Sequence, residues 1–82
     1  MDINQAAAAV ERFVATFADA DQRTAREVRV RPSGDDADHI KVWVDLGPGV
    51  DDAGCDAWAA ACKGAAAAAA GAFTVEVRAE SL

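Results

Sequence analysis

Three stretches of this chain alternate apolar and polar residues one by one. Val28 and Val30 sit between Glu27, Arg29 and Arg31. Ile40, Val42, Val44 and Leu46 alternate with His39, Lys41, Trp43 and Asp45, and Phe73, Val75, Val77 and Ala79 alternate with Thr74, Glu76 and Arg78. A period of two sends successive side chains to opposite faces of a strand, so each stretch has one side to bury and one side to leave open. The chain must therefore build a sheet covered on a single face.

The remaining segments say what covers it. Ile3, Ala6, Ala7, Val10, Phe13, Val14 and Phe17 recur at three- and four-residue spacing, which predicts an amphipathic helix over about residues 3–20. Asp2 and Gln5 have the spacing of a capping box, and Asp19 and Asp21 suit the exit. Pro32 and the run Ser33-Gly34-Asp35-Asp36 carry turn chemistry, so residues 26–46 read as an antiparallel hairpin. Gly47-Pro48-Gly49 ends it, and Asp51 or Asp52 caps a second helix. One face of that helix carries Cys55, Trp58, Cys62, Ala65 or Ala66, and Ala69, and Gly71 is its stop. Gly64 inside it costs about 1 kcal/mol of helix propensity relative to alanine, which predicts a close neighbour. The last strand runs from Phe73 to Ala79.

The element order is α-β-β-α-β. It predicts an α+β, two-layer sandwich: a three-stranded sheet containing an antiparallel pair, with both helices on one face, in a single domain of 82 residues. In topology and length this is similar to a ferredoxin-like domain missing its first strand, and to the C-terminal cytoplasmic domains of cation-diffusion transporters. Although 52% of the residues are hydrophobic, much of that is alanine, which fills little volume. A chain this short has a thin folding margin, and a partner or second protomer is a natural supplement.

Charge is unevenly placed. Asp35, Asp36, Asp38, Asp45, Asp51, Asp52 and Asp56 stand against Lys41 alone within residues 35–56, while Arg23, Arg26, Arg29 and Arg31 stand against Glu27 within residues 23–31; the net charge is −6. Such a chain is repelled by nucleic acid and anionic membranes and drawn to basic protein surfaces. The N-terminal residues lack the basic region of a signal peptide. The alanine-rich stretch Ala59–Ala70 contains Lys63 and is too short to span a bilayer, so a cytoplasmic location is expected. Cys55 and Cys62, seven residues apart on a helix, are separated by roughly 10 Å, beyond disulfide reach. They read as core-filling thiols, and with one histidine they form no recognisable zinc set.

Catalysis finds little support in the residues. Ser33 falls in a turn and Ser81 one residue from the end. Asp35-Asp36 and Asp51-Asp52 read as caps and solvated loops, and Gly47-Pro48-Gly49 lacks the Gly-Lys-Ser/Thr of a phosphate loop. The expectation is a binding protein without enzymatic activity or cofactor.

Two classes of binder follow. In the first, Asp35, Asp36, Asp38, Asp45, Asp51, Asp52 and Asp56, with Trp43, occupy the basic surface of a nucleic-acid-binding complex, since Arg and Lys pair with carboxylates as they do with phosphates. In size, charge and its aspartate-rich stretch the chain resembles the small acidic phage-encoded inhibitors of bacterial defence, such as anti-CRISPR proteins and DNA mimics. That resemblance implies a bacterial or phage source and a protein partner. In the second, the chain is a regulatory or accessory domain that homodimerises through the open sheet face, using Arg29, Arg31, Lys41, Trp43 and Arg78, because tryptophan and arginine dominate interface hot spots.

Overall fold

The computed structural model describes residues 2–34 and 37–82; Asp35 and Asp36, expected in the hairpin loop, lie outside the described residues. Helix α1 spans Ile3–Thr16. The capping box forms as read: the Asp2 carboxylate accepts the Gln5 N–H at 2.8 Å, and the Gln5 side chain accepts the Asp2 N–H at 3.0 Å. The helix ends four residues before the expected 20. Phe17 turns to extended backbone, ψ 136°, and its ring meets Trp58 edge-on at 5.4 Å. Asp19 organises the exit that follows, its carboxylate accepting the N–H groups of Asp21 at 3.0 Å and Arg23 at 2.8 Å. Side-chain packing and a local aspartate turn thus override the helical periodicity.

Helix α2 spans Asp52–Ala70, and of the two candidate caps it is Asp51, whose carboxylate accepts the Gly54 N–H at 2.8 Å. It buries Cys55, Trp58, Cys62, Ala66 and Ala70, so the inward stripe runs through Ala66 and Ala70, with Ala69 only half-buried. Gly71 stops the helix with φ 64°. The expected close approach at Gly64 is not made within the chain: a Cβ there would meet nothing within 4 Å. It occurs at Gly54, where a Cβ would lie 2.6 Å from the Arg23 guanidinium and 2.9 Å from a Val50 methyl. Trp58 is fully buried, and its indole N–H donates to the Arg23 carbonyl at 2.8 Å, satisfying the one polar atom that a core tryptophan brings with it. Cys55 and Cys62 are buried, free thiols.

The strands are β1 (Glu27–Pro32), β2 (His39–Asp45) and β3 (Thr74–Glu80), in the order β1-β2-β3. The β1 and β2 strands form the antiparallel hairpin, with Val30 opposite Val42, and β3 lies parallel to β2, with Val77 opposite Val42. The parallel pair needs a crossover, which α2 supplies. Because β2 is central, Ile40, Val42 and Val44 are essentially fully buried, whereas Val28 and Val30 at one edge are half-buried. Helix α1 packs on β1, α2 packs on β3, and the helices pack on each other, so the structure is the α-β-β-α-β, two-layer α+β fold. No helix of the described residues is long and apolar enough to cross a membrane.

Candidate functional site

The sheet face away from the helices is open, and the strand register sorts its side chains into rows. Arg29, Trp43 and Arg78 lie side by side on the three strands. The next row is Arg31, Lys41 and Glu76, and on the other side of the tryptophan lie Glu27, Asp45 and Glu80. The strands thereby gather residues distant in sequence: the expected set Arg29, Arg31, Lys41, Trp43 and Arg78 forms one contiguous surface. It lines a shallow depression of about 400 Å³, with Glu76 as an added member.

Trp43 is half-buried there, and the Arg29 guanidinium lies 5.1 Å from its ring centre, within cation–π range. Arg29 also pairs with Glu27 at 3.1 Å, and Arg78 with Glu80 at 3.2 Å. Both arginines are well exposed, so these pairs hold them loosely and leave them available for stronger partners. The geometry answers why a tryptophan faces outward: the Arg29 guanidinium shelters part of the ring and leaves the rest open.

The acidic set is dispersed. Asp38 is exposed at the start of β2, where its carbonyl accepts the Thr74 N–H. Asp51, Asp52 and Asp56 are exposed at the opposite end of that strand, roughly 20 Å away at about 3.3 Å per residue. Asp51 is committed to capping α2. Asp45 departs from expectation most: alternation turns it outward as a carboxylate for a partner, yet it is 2% exposed. Arg26 grips its carboxylate through Nε at 2.9 Å and through a terminal nitrogen, and the N–H groups of Gly47 and Leu82 donate to it at 2.7 and 3.2 Å. It ties the end of β2 to the chain's last residue and is not presented to solvent. The Gly47 N–H bond holds its pKa below the usual carboxylate value; burial opposes this, and Arg26 and the Leu82 N–H add to it.

Asp19 is a second carboxylate with a structural site of its own, at the exit from α1. Burial would push Asp19 up, but the Arg23 backbone N–H and guanidinium and the Asp21 N–H outweigh it and hold Asp19 low. The Asp19-x-Asp21-x-Arg23 spacing was its signal, a side chain bonding backbone two and four residues on. The hydroxyls and thiols have structural duties as well. Ser81 Oγ donates to the Gly47 carbonyl and accepts the Val50 N–H. Burial pushes the Cys62 thiol up to about 11, and burial, then Asp52 and Asp56, raises Cys55. Among the described residues, no group of three or more His, Cys, Asp or Glu is placed to hold a metal ion.

Comparison with known protein families, curated proteins and solved structures found no match.

Proposed function

We propose that the protein is a non-catalytic binding module whose working surface is the open sheet face, with Trp43 as anchor and Arg29, Arg31, Lys41 and Arg78 as flanking contacts. The observation that carries this is the half-buried indole lying under Arg29 in a cationic depression on the one face no helix covers. A core tryptophan would be sealed, as Trp58 is; a solvated strand face would be served by threonine or charge alone. The matching partner surface has an apolar recess for the indole and carboxylates for the guanidinium groups, a combination that concentrates binding energy in few residues. Affinity capture from bacterial lysate with wild type and Trp43→Ala tests this. A protein held by wild type and lost with a folded Trp43→Ala variant supports the face as the binding surface, and equal retention by both removes it.

A second reading draws on the opposite end of the strands from Asp38. There Asp52, Asp56 and Glu80 line a cleft of about 630 Å³ between the start of α2 and the end of β3. This favours the inhibitor class, in which carboxylates occupy a basic nucleic-acid-binding surface of a bacterial defence complex. In that case duplex DNA displaces the captured partner, and reversal of Asp52 and Asp56 to lysine abolishes capture. Capture that is indifferent to DNA and to both reversals excludes it.

A further inference from the structure

The outer edge of β3 pairs with no strand among the described residues, and its charges, on Glu76, Arg78 and Glu80, alternate onto the open face. Its helix-side residues are Val75, Val77 and Ala79, with no inward charge and no proline over Thr74–Glu80. Unpaired N–H and C=O groups on such an edge are a template for another strand. We infer that β3 pairs antiparallel with β3 of a second copy about a two-fold axis at Val77, joining two three-stranded sheets into one of six. This goes beyond the face-binding reading and stands or falls separately.

Charge fixes the occupant and the register. An isologous antiparallel pair centred on Val77 overlaps all seven residues of β3, and it sets Glu76 of each copy opposite Arg78 of the other. Centring on Glu76 or Arg78 would oppose like charges, and a one-residue slip would set outward side chains against helix-side ones. The flank of α2 above the edge is built to match. Asp56 and Ala59 line the groove along Val77 and Ala79, while Ala60, Lys63, Gly64 and Ala67 line its continuation beside Phe73, Thr74 and Val75. Two-fold symmetry through Val77 centres near Ala59 and Ala60, so Asp56 meets Lys63 of the second copy.

A helix seated over an edge strand obstructs edge pairing unless its flank is smooth, because ordinary helix packing needs about 8–10 Å between axes. Ala60, Gly64 and Ala67 make it smooth, which gives Gly64 the close neighbour that its cost in an alanine helix calls for and that a single chain does not provide. The sheet that results carries both Trp43 rings on one continuous face, roughly 16 Å apart at about 4.8 Å per strand and 3.3 Å per residue.

The test is sedimentation velocity with light scattering over a wide concentration series, with thermal melts to confirm folding. Wild type should dimerise with rising concentration. Arg78→Glu and Glu76→Arg should each raise the dimer dissociation constant about tenfold or more, since the symmetry counts each repulsion twice. Combining E76R with R78E should restore the dimer. Gly64→Gln, at a site with open space in the monomer, should abolish association while leaving the melting temperature undiminished at dilutions where wild type is also monomeric, and Trp43→Ala should leave the dimer intact. A wild type that stays monomeric throughout, or a double charge swap no better than either single change, overturns the inference.

Discussion

The two tryptophans should respond oppositely to substitution. Trp58 is fully buried among Val10, Val14, Phe17 and Cys62, and its indole N–H satisfies the Arg23 carbonyl. Trp58→Phe keeps an aromatic ring but removes the pyrrole portion and its bond. That leaves a small cavity costing about 1–2 kcal/mol and takes one of two hydrogen bonds from the Arg23 carbonyl, which keeps the Asp19 N–H at 3.2 Å, a loss of roughly 1 kcal/mol, for about 2–3 kcal/mol together. Domains of this size hold only about 5–10 kcal/mol in total, so the loss should lower the melting temperature by roughly 10–20 °C. With a urea m-value near 1–1.5 kcal/mol per molar it should move the midpoint by about 2 M. Trp43→Ala forfeits one cation–π contact and partial burial, about 1 kcal/mol or less. Urea titrations of both variants, followed by far-ultraviolet circular dichroism, measure the contrast. A Trp58→Phe variant within about 0.5 kcal/mol of wild type, or a Trp43→Ala loss equal to it, would refute the division into a core and a surface tryptophan.

Two glycines in α2 should also part company. Gly54→Ala drives a methyl against Arg23, Val50 and the Asp51 cap and should destabilise by about 1 kcal/mol net of its gain in helix propensity, whereas Gly64→Ala meets open space within one chain and should stabilise the monomer by up to about 1 kcal/mol; thermal melts at dilutions that keep the protein monomeric decide both. Asp19 and Asp45 are both held below the usual carboxylate value when folded. Their stabilisation is therefore present above the unfolded pKa near 4 and is lost as pH falls through the lower folded values, giving acid unfolding below about pH 4 that Asp45→Asn should shift or blunt. Cys62 has the opposite sign: its folded value near 11 lies above the usual 9, so stability falls as pH rises from about 9 to 11. At neutral pH the thiol should resist alkylation until the protein unfolds.

The sequence was most legible where one period ruled. Strict alternation placed all three strands to within a residue or so at each end, and the Asp2 and Asp51 caps and the Gly71 stop marked helix ends by mechanisms local to a few residues. Legibility ended where tertiary contacts compete. Phe17 continues the α1 stripe, yet it leaves the helix because Trp58, forty-one residues away, offers a better surface. Asp45 alternates outward like its neighbours, and only the meeting of Arg26, Gly47 and Leu82 turns it into a buried anchor. The cationic rim around Trp43 was predictable because every member lies on a strand whose outward face was known. The spread of the aspartates was not, since successive loops fall at opposite ends of β2 and nearness in sequence gives no nearness in space.

The central claim is that the face around Trp43 meets a partner, and a photo-crosslinking residue placed at position 41, beside the intact tryptophan in the same depression, tests it most directly. Irradiated in bacterial lysate, the protein should form a discrete covalent adduct from position 41 and none from position 8, an exposed alanine on α1. An adduct from position 8 as strong as that from 41, or no adduct from 41 at all, would contradict the account.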